Sequence, residues 1–353
     1  MLALHSDVAR AVAEQIRLEL TPQEQAALTP TRTVDPRAYD AYLRGRELIG
    51  PTSLVPLWGS RAIEQLERAV EIDPDFAEAW AWIAHIRDSI GNFGLQLRNR
   101  EQYPRAREAA QRALELDDHV GMAHTALGSI LMHNAWDFAG AEREFERAIE
   151  LSPSDPAAVN GLAWYLLLIG KSEQGLALSE RLPSIAPFDI FFRAERFRHL
   201  RFARQYDRAL EELARVRELV DPAFTDSLLP NLYSGLGRSE EAHRALIAFY
   251  EQCGSRCEGM RNAAMRGWAE GGWEGSTRAI AEVLASIEGF SPNVIAIYYS
   301  VACEVDEAIA WLEEGYRQRE PLMTNVKSIP DFDLLRSDPR FEDLVRRIGF
   351  PES

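Results

Sequence analysis

The recurrence of small residues at fixed steps constrains this chain more than any other feature. Alanine, a bulkier residue four positions on, a small residue three further, and Pro or Asp five further recur along most of its length. Ala62, Leu66, Ala69 and Pro74 fit, then Ala106, Ala110, Ala113 and Asp118, then Ala141, Phe145, Ala148 and Pro153. Looser copies stand at Gly175, Ser179, Leu182 and Pro187, at Ala209, Leu213, Val216 and Asp221, and at Ala242, Leu246, Phe249 and Gly254. The last is Ala308, Leu312, Gly315 and Glu320. Steps of four and three keep such residues on one stripe of a helix. Small side chains there admit a neighbouring helix closely, and the bulky one fills the gap. Pro or Asp then stops the helix.

Upstream of each copy lies a second amphipathic segment, such as 79–84, 126–131 and 159–165. Gly91, Gly170 and Gly237 follow these segments at places suited to a left-handed helix stop. Each unit is therefore a helix–turn–helix of roughly 34 residues, and a stack of such units is an α-solenoid. A further pair over 257–288 is weaker, with Ala264 at the close-contact place and Ser276 where alanine is usual. Two irregularities stand out. Asn92 to Gln102 is surplus to the period and reads as an exposed excursion. The turn at Asn134–Phe138 is one residue longer than the usual turn between the helices of a pair, which places Trp136 and Phe138 in packing at a helix start.

The pattern resembles the tetratricopeptide repeat family, most clearly in Leu127-Gly128 with Ala141, Phe145, Ala148 and Pro153. Three further stretches resemble the C-terminal repeat region of bacterial regulators whose other end carries a winged-helix domain, an adenylate cyclase or a protein kinase. They are Asp7–Glu24 with Ala38–Gly45, Trp136–Ile149, and Leu334–Leu344. In those proteins a TolB-like segment precedes the repeats, and Asp7 to Leu20 looks like its last helix. The resemblance implies partner docking or signal reception, and its motifs are structural.

The expected architecture is all-α, a right-handed solenoid of about seven to eight helix pairs with a C-terminal capping helix. Residues 1–34 would form an N-terminal helix and linker, 35–328 the solenoid, and 329–353 the cap. For the cap, Ser337 and Asp338 are candidate N-caps, Pro339 suits the first turn and Gly349 the stop. Phe341, Leu344, Val345 and Ile348 form an apolar stripe to close the stack.

In such an array the first helix of each pair lines the concave face. The 3.6 period selects Glu78, His85 and Asp88, then Met122, Thr125, Ser129 and Met132, then Asn160, Trp164 and Leu167. Phe191, Arg198 and Arg201 follow, then Phe224, Ser227, Asn231 and Ser234. Asn160 and Asn231 suit an extended backbone, Arg198 and Arg201 a carboxylate, and Trp164 an apolar platform, with Phe191 among the same partner-binding residues. His85 with Asp88, and His133 with Asp137 one repeat later, make candidate ligand-binding pairs. The lysines of the carboxylate clamp known in tetratricopeptide proteins are missing.

A formal net charge of -16 and a pI near 5.0 exclude the basic face that nucleic acid requires and a polybasic membrane anchor. Cys253, Cys257 and Cys303 are too few for a disulfide framework and suit a reducing, cytoplasmic location. Cys253 and Cys257 read as free thiols at a turn, with no second pair to complete a zinc site. There is no phosphate loop, Gly-x-Ser-x-Gly elbow or His-Glu-x-x-His motif, and no metal or cofactor is expected. The first reading is a regulatory, non-enzymatic scaffold for a protein or peptide in the concave groove. The second is a small-molecule sensor or unusual enzyme with a closed groove around His85, Trp164 and Arg198. The third is a self-associating array.

Overall fold

The computed structural model describes residues 33–49, 55–93, 101–219 and 225–351. Among them the regular structure is helical, with no β-strand. The pairs run α1 (Pro36–Ile49) with α2 (Val55–Ile72), α3 (Ala77–Phe93) with α4 (Gln102–Leu116), and α5 (Gly121–Ile130) with α6 (Phe138–Leu151). They continue as α7 (Pro156–Leu168) with α8 (Ser172–Ser179), a single turn α9 (Leu182–Ile185), and α10 (Ile190–Phe202) with α11 (Tyr206–Arg217). After these come α12 (Leu229–Gly235), α13 (Ser239–Cys253), α14 (Glu258–Ala285), α15 (Pro292–Val301), α16 (Val305–Arg317) and α17 (Pro339–Ile348). The N-terminal helix expected at Asp7 to Leu20 lies outside the described residues, as does Phe224.

The repeating stripe is where the pairs touch. Ala62, Leu66, Ala69, Ala106, Ala110 and Ala113 are all 0% exposed, and so are Ala141, Phe145 and Ala148. Aspartates start the helices as the stops and starts require: Asp137 accepts from Gly140 N, Asp155 from Ala157 N and Asp189 from Phe191 N. Each carboxylate thereby satisfies an N–H that the helix leaves unpaired. Gly170 and Gly237 have φ of +96° and +69° as their stop role demands, whereas Gly91 lies inside α3 against the ring of Tyr103. The weak pair over 257–288 is present, folded back on itself within α14, whose backbone breaks from helical geometry at Gly271 and Gly272 (φ +62° at the latter). A side chain is strained in that conformation, so glycine permits the reversal. The two halves then meet at Gly267 and Gly275, where an added Cβ would fall 2.1–2.2 Å from the facing carbonyl oxygen.

The C-terminal segment departs from expectation. Asp338 caps α17, accepting from Arg340 N, and Gly349 stops it at φ +82°. Its apolar residues, however, do not merely close the last pair. Phe341, Leu344 and Ile348 share one core with Met132, Phe145, Tyr165 and Phe202 from the middle of the array. Two 3₁₀ turns, Pro321–Asn325 and Pro330–Leu335, add Met323, Phe332 and Leu335 to it. Polar ties cross the same seam. Arg201 pairs with Asp331, both side chains under a tenth exposed. Ser328 Oγ donates to the carbonyls of Leu167 (2.7 Å) and Leu168 (2.9 Å), and Lys327 Nζ to that of Ile169 (2.9 Å). The array thus closes upon itself, its end seated on its own middle.

The long turn at Asn134–Phe138 is the seat of that closure. Its extra residue is taken up as a π-type turn over Leu131–Ala135, ended by Trp136 at φ +57°. Trp136 packs on Tyr316, with the Arg319 guanidinium 4.5 Å from its ring centre, and Arg319 donates to Ala135 O. Phe138 lies 4.9 Å from Phe350. Both aromatics pack at a helix start, and their partners come from the far end of the chain.

Two sequence readings need correction. Asn92 is half-buried inside α3, donating to Asp88 Oδ2 and accepting from Tyr103 OH, so the excursion does not begin there; residues 94–100 lie outside the described residues. Cys253 and Cys257 are joined in a disulfide. The end of α13 and the following 3₁₀ turn bring their Cα atoms to 5.6 Å, within bonding range. Cys303 is free and exposed.

Candidate functional site

Closure turns the concave groove into a cavity of about 1030 Å³. One wall comes from the first helices of the pairs: His85 and Asp88 of α3, Asn160 and Trp164 of α7, Phe191, Arg198 and Arg201 of α10, and Asn231 of α12. Helix period explains why these side chains share a face. The opposite wall is the C-terminal part of the chain, with Asn293 and Ile297 of α15 and Leu322, Asn325 and Ile329 of the 3₁₀ region. Met122, Thr125, Ser129 and Met132 also line it. Leu167 is buried in the core instead, and Ser234 accepts from Trp273 Nε1 outside the cavity; Glu78 and Ser227 are not part of the wall.

The polar groups are arranged differently from a simple clamp. Arg198 pairs with Glu195 one turn away, and Trp164 Nε1 donates to the other oxygen of Glu195 at 2.6 Å. Trp164 stands edge-on to His199 (4.6 Å) and Phe202 (4.8 Å), so it is a fixed wall panel. The carboxylate that Arg201 takes is the chain's own Asp331. Arg46 of α1, which helix register on the later repeats did not select, reaches the cavity by stacking 3.8 Å over Trp82. It carries no ion pair among the described residues.

At the α3 end, Asp88 is 3% exposed. Its Oδ2 accepts from Ser129 Oγ (2.6 Å) and Asn92 Nδ2 (2.9 Å), while Oδ1 has no donor among the described residues. Burial pushes its carboxyl up to about 7 despite those two hydrogen bonds. His85 is held down to about 4 by burial and then by Arg46. His133 is likewise held near 4 by burial. Thr324 Oγ1 donates to Pro321 O and so accepts from His133 Nδ1–H at 2.9 Å, leaving Nε2 as the bare ring nitrogen. The pairing of His133 with Asp137 does not form, because Asp137 is spent on its helix start. Ser129 and Asp88 touch, yet among the described residues no histidine hydrogen-bonds to either, so no nucleophile–base relay is assembled.

What sequence reasoning missed is the roof. Local period says which face of a helix is free, and nothing in it says that residues 322–329 will cover that face. His133 carried a signal, the over-long turn, which the π geometry resolves by turning its side chain into the cavity.

Residues 136–190 match the family model described as tetratricopeptide repeat. Similar solved structures include PilF of Pseudomonas aeruginosa, 19% identical over 62% of this chain and 94% of that one, with a TM-score of 0.41. PilW, a type IV pilus biogenesis factor, is 16% identical over 60% and 91%, at 0.44. YrrB, a tetratricopeptide protein with an unusual peptide-binding site, is 19% identical over 52% and 91%, at 0.30. What those proteins bind or build is theirs, and at these values it is not carried to this chain. No curated protein matches the chain. Among the described residues no helix is long and apolar enough to cross a membrane.

Proposed function

We propose that this tetratricopeptide-repeat chain is a binding protein with a regulatory role, and that it holds a compact ligand inside its closed groove. The repeat family supports the coarser statement, a role in interactions. The observation that carries the finer one is the cavity of about 1030 Å³ walled on one side by the chain's own residues 322–329. Small-molecule sites span about 300–1,000 Å³ and combine apolar walls with a few placed polar groups. Trp82, Phe145, Trp164 and Phe191 supply the walls, and Asp88, Asn160 and Asn231 the polar points. The closing segment is part of a large core and is ion-paired beneath it, which stands against an extended peptide running the length of the groove. The ligand is therefore a small amphipathic molecule or the end of a short peptide. Since a disulfide persists under oxidising conditions, the Cys253–Cys257 bridge removes the support that the cysteines lent to a cytoplasmic location.

Native mass spectrometry of the purified protein, followed by denaturing release, tests the reading. We expect a compact species carried by the wild type and lost in Asn160→Trp, which fills the cavity from α7. Recovery of folded partner proteins, equally by both forms and with no compact species in either, would overturn it.

A further inference from the structure

The charges around the cavity do not cancel. Glu195 neutralises Arg198, and Asp331 neutralises Arg201. Of the remaining wall carboxylates, Asp155 and Asp189 cap α7 and α10, and Asp88 is hydrogen-bonded only to neutral groups. Against these three stands Arg46 alone, whose charge is felt by Asp155 and His85. Asp155 and Asp189 outnumber Arg46 even with Asp88 protonated, and a bound cation would hold Asp88 ionised, so the field inside favours a cation.

Unmet hydrogen bonding points the same way. Asp88 Oδ1 and Asn160 Oδ1 are buried acceptors without a donor, in residues that form the cavity wall. A buried carboxylate oxygen left unpaired is costly, and a donor from a ligand relieves that cost. Asp88 Oδ1 is buried in a residue of the cavity wall, so a donor from inside the cavity would complete the carboxyl's hydrogen bonding. Aromatic faces flank the space, and such faces attract ammonium groups as well as apolar bodies. Arg46 sits over Trp82, six residues from Asp88, which is roughly 9 Å along the helix axis.

Resting on the closed-groove reading, we propose that Asp88 is the counter-ion for the protonated amine of an organic cation, a primary ammonium on an apolar or aromatic body. Free amines and peptide N-termini share that chemistry. No bond is made or broken; the ammonium donates to Asp88 Oδ1, and the body lies against the apolar wall of the cavity.

Calorimetry on the full chain with 2-phenylethylamine, 3-phenylpropanol, 3-phenylpropionate and phenylalanyl-glycinamide tests this. The amine should bind at least tenfold more tightly than the alcohol, and the carboxylate more weakly than either. Asp88→Asn keeps the side-chain shape and the acceptor facing Ser129; it should reduce the amine to the alcohol's affinity and leave the alcohol unchanged. The dipeptide amide binding more tightly than the amine assigns the head to a peptide N-terminus, and the reverse order to a free amine. An amine no tighter than the alcohol, or one unaffected by Asp88→Asn, overturns the ammonium assignment while the cavity reading stands. Binding of none of the four overturns both.

Discussion

Breaking the Arg201–Asp331 pair should cost far more than breaking its near neighbour Arg204–Asp333, though both tie the end of α10 and the turn after it to the same 3₁₀ turn. Arg201 and Asp331 are 9% and 5% exposed at the side chain, while Arg204 and Asp333 are 39% and 43% exposed. Removing one member of a buried pair leaves a charge out of water with no partner, and typically costs about 3–5 kcal/mol. Exposed pairs are screened by solvent and are worth roughly 0–1 kcal/mol. Asp331→Asn should therefore destabilise by about 3 kcal/mol or more, and Asp333→Asn by under about 1 kcal/mol. The double variant Arg201→Met, Asp331→Leu should recover much of the loss, because apolar replacement of a whole buried pair is often neutral. Urea unfolding followed by circular dichroism gives the values, with the four-corner cycle isolating the coupling. A coupling near zero, or equal effects of Asp331→Asn and Asp333→Asn, would refute the claim that burial at this seam locks the roof over the cavity.

Other consequences are open to the same methods. Gly161→Ala would put a Cβ 2.6 Å from the Phe145 ring and should cost about 1–3 kcal/mol by overpacking, with Phe145→Leu in the same chain restoring part of it. Reducing Cys253–Cys257, which closes a loop of sequence separation 4, should lower stability by about 2 kcal/mol on the loop-entropy account; an unchanged urea midpoint under reductant counts against it. His199 is 0% exposed and held down to about 3 by burial, then by Arg198 and Arg196. Its folded value lies below its unfolded one, so between the two the unfolded chain alone binds the proton. Stability should therefore be full above about pH 6.5 and fall by up to about 1.4 kcal/mol per pH unit on acidification. His199→Gln should flatten the acid limb by close to one proton, and an unaltered slope argues against a neutral buried imidazole.

Much of the fold was legible because packing between consecutive helix pairs is local. Ala141, Phe145 and Ala148 face the helices next to them in sequence, with Phe145 against Gly128 and Gly161, so their spacing alone says which face is buried. The same register brought Asn160, Trp164, Arg198 and Asn231 to one wall, since neighbouring pairs repeat one orientation. What the chain's pattern could not reveal was contact between distant parts. His133 meets Thr324 across 191 positions and Arg201 meets Asp331 across 130, and no periodicity links such residues. Hence Arg198 and Arg201 read as free hands for a carboxylate, whereas tertiary structure had already filled them. The last helix, likewise, read as the end of an open stack because an apolar stripe states only that it must be covered. Tertiary structure decided that the cover is the array's own middle, and so made a groove into a chamber with Asp88 at its α3 end.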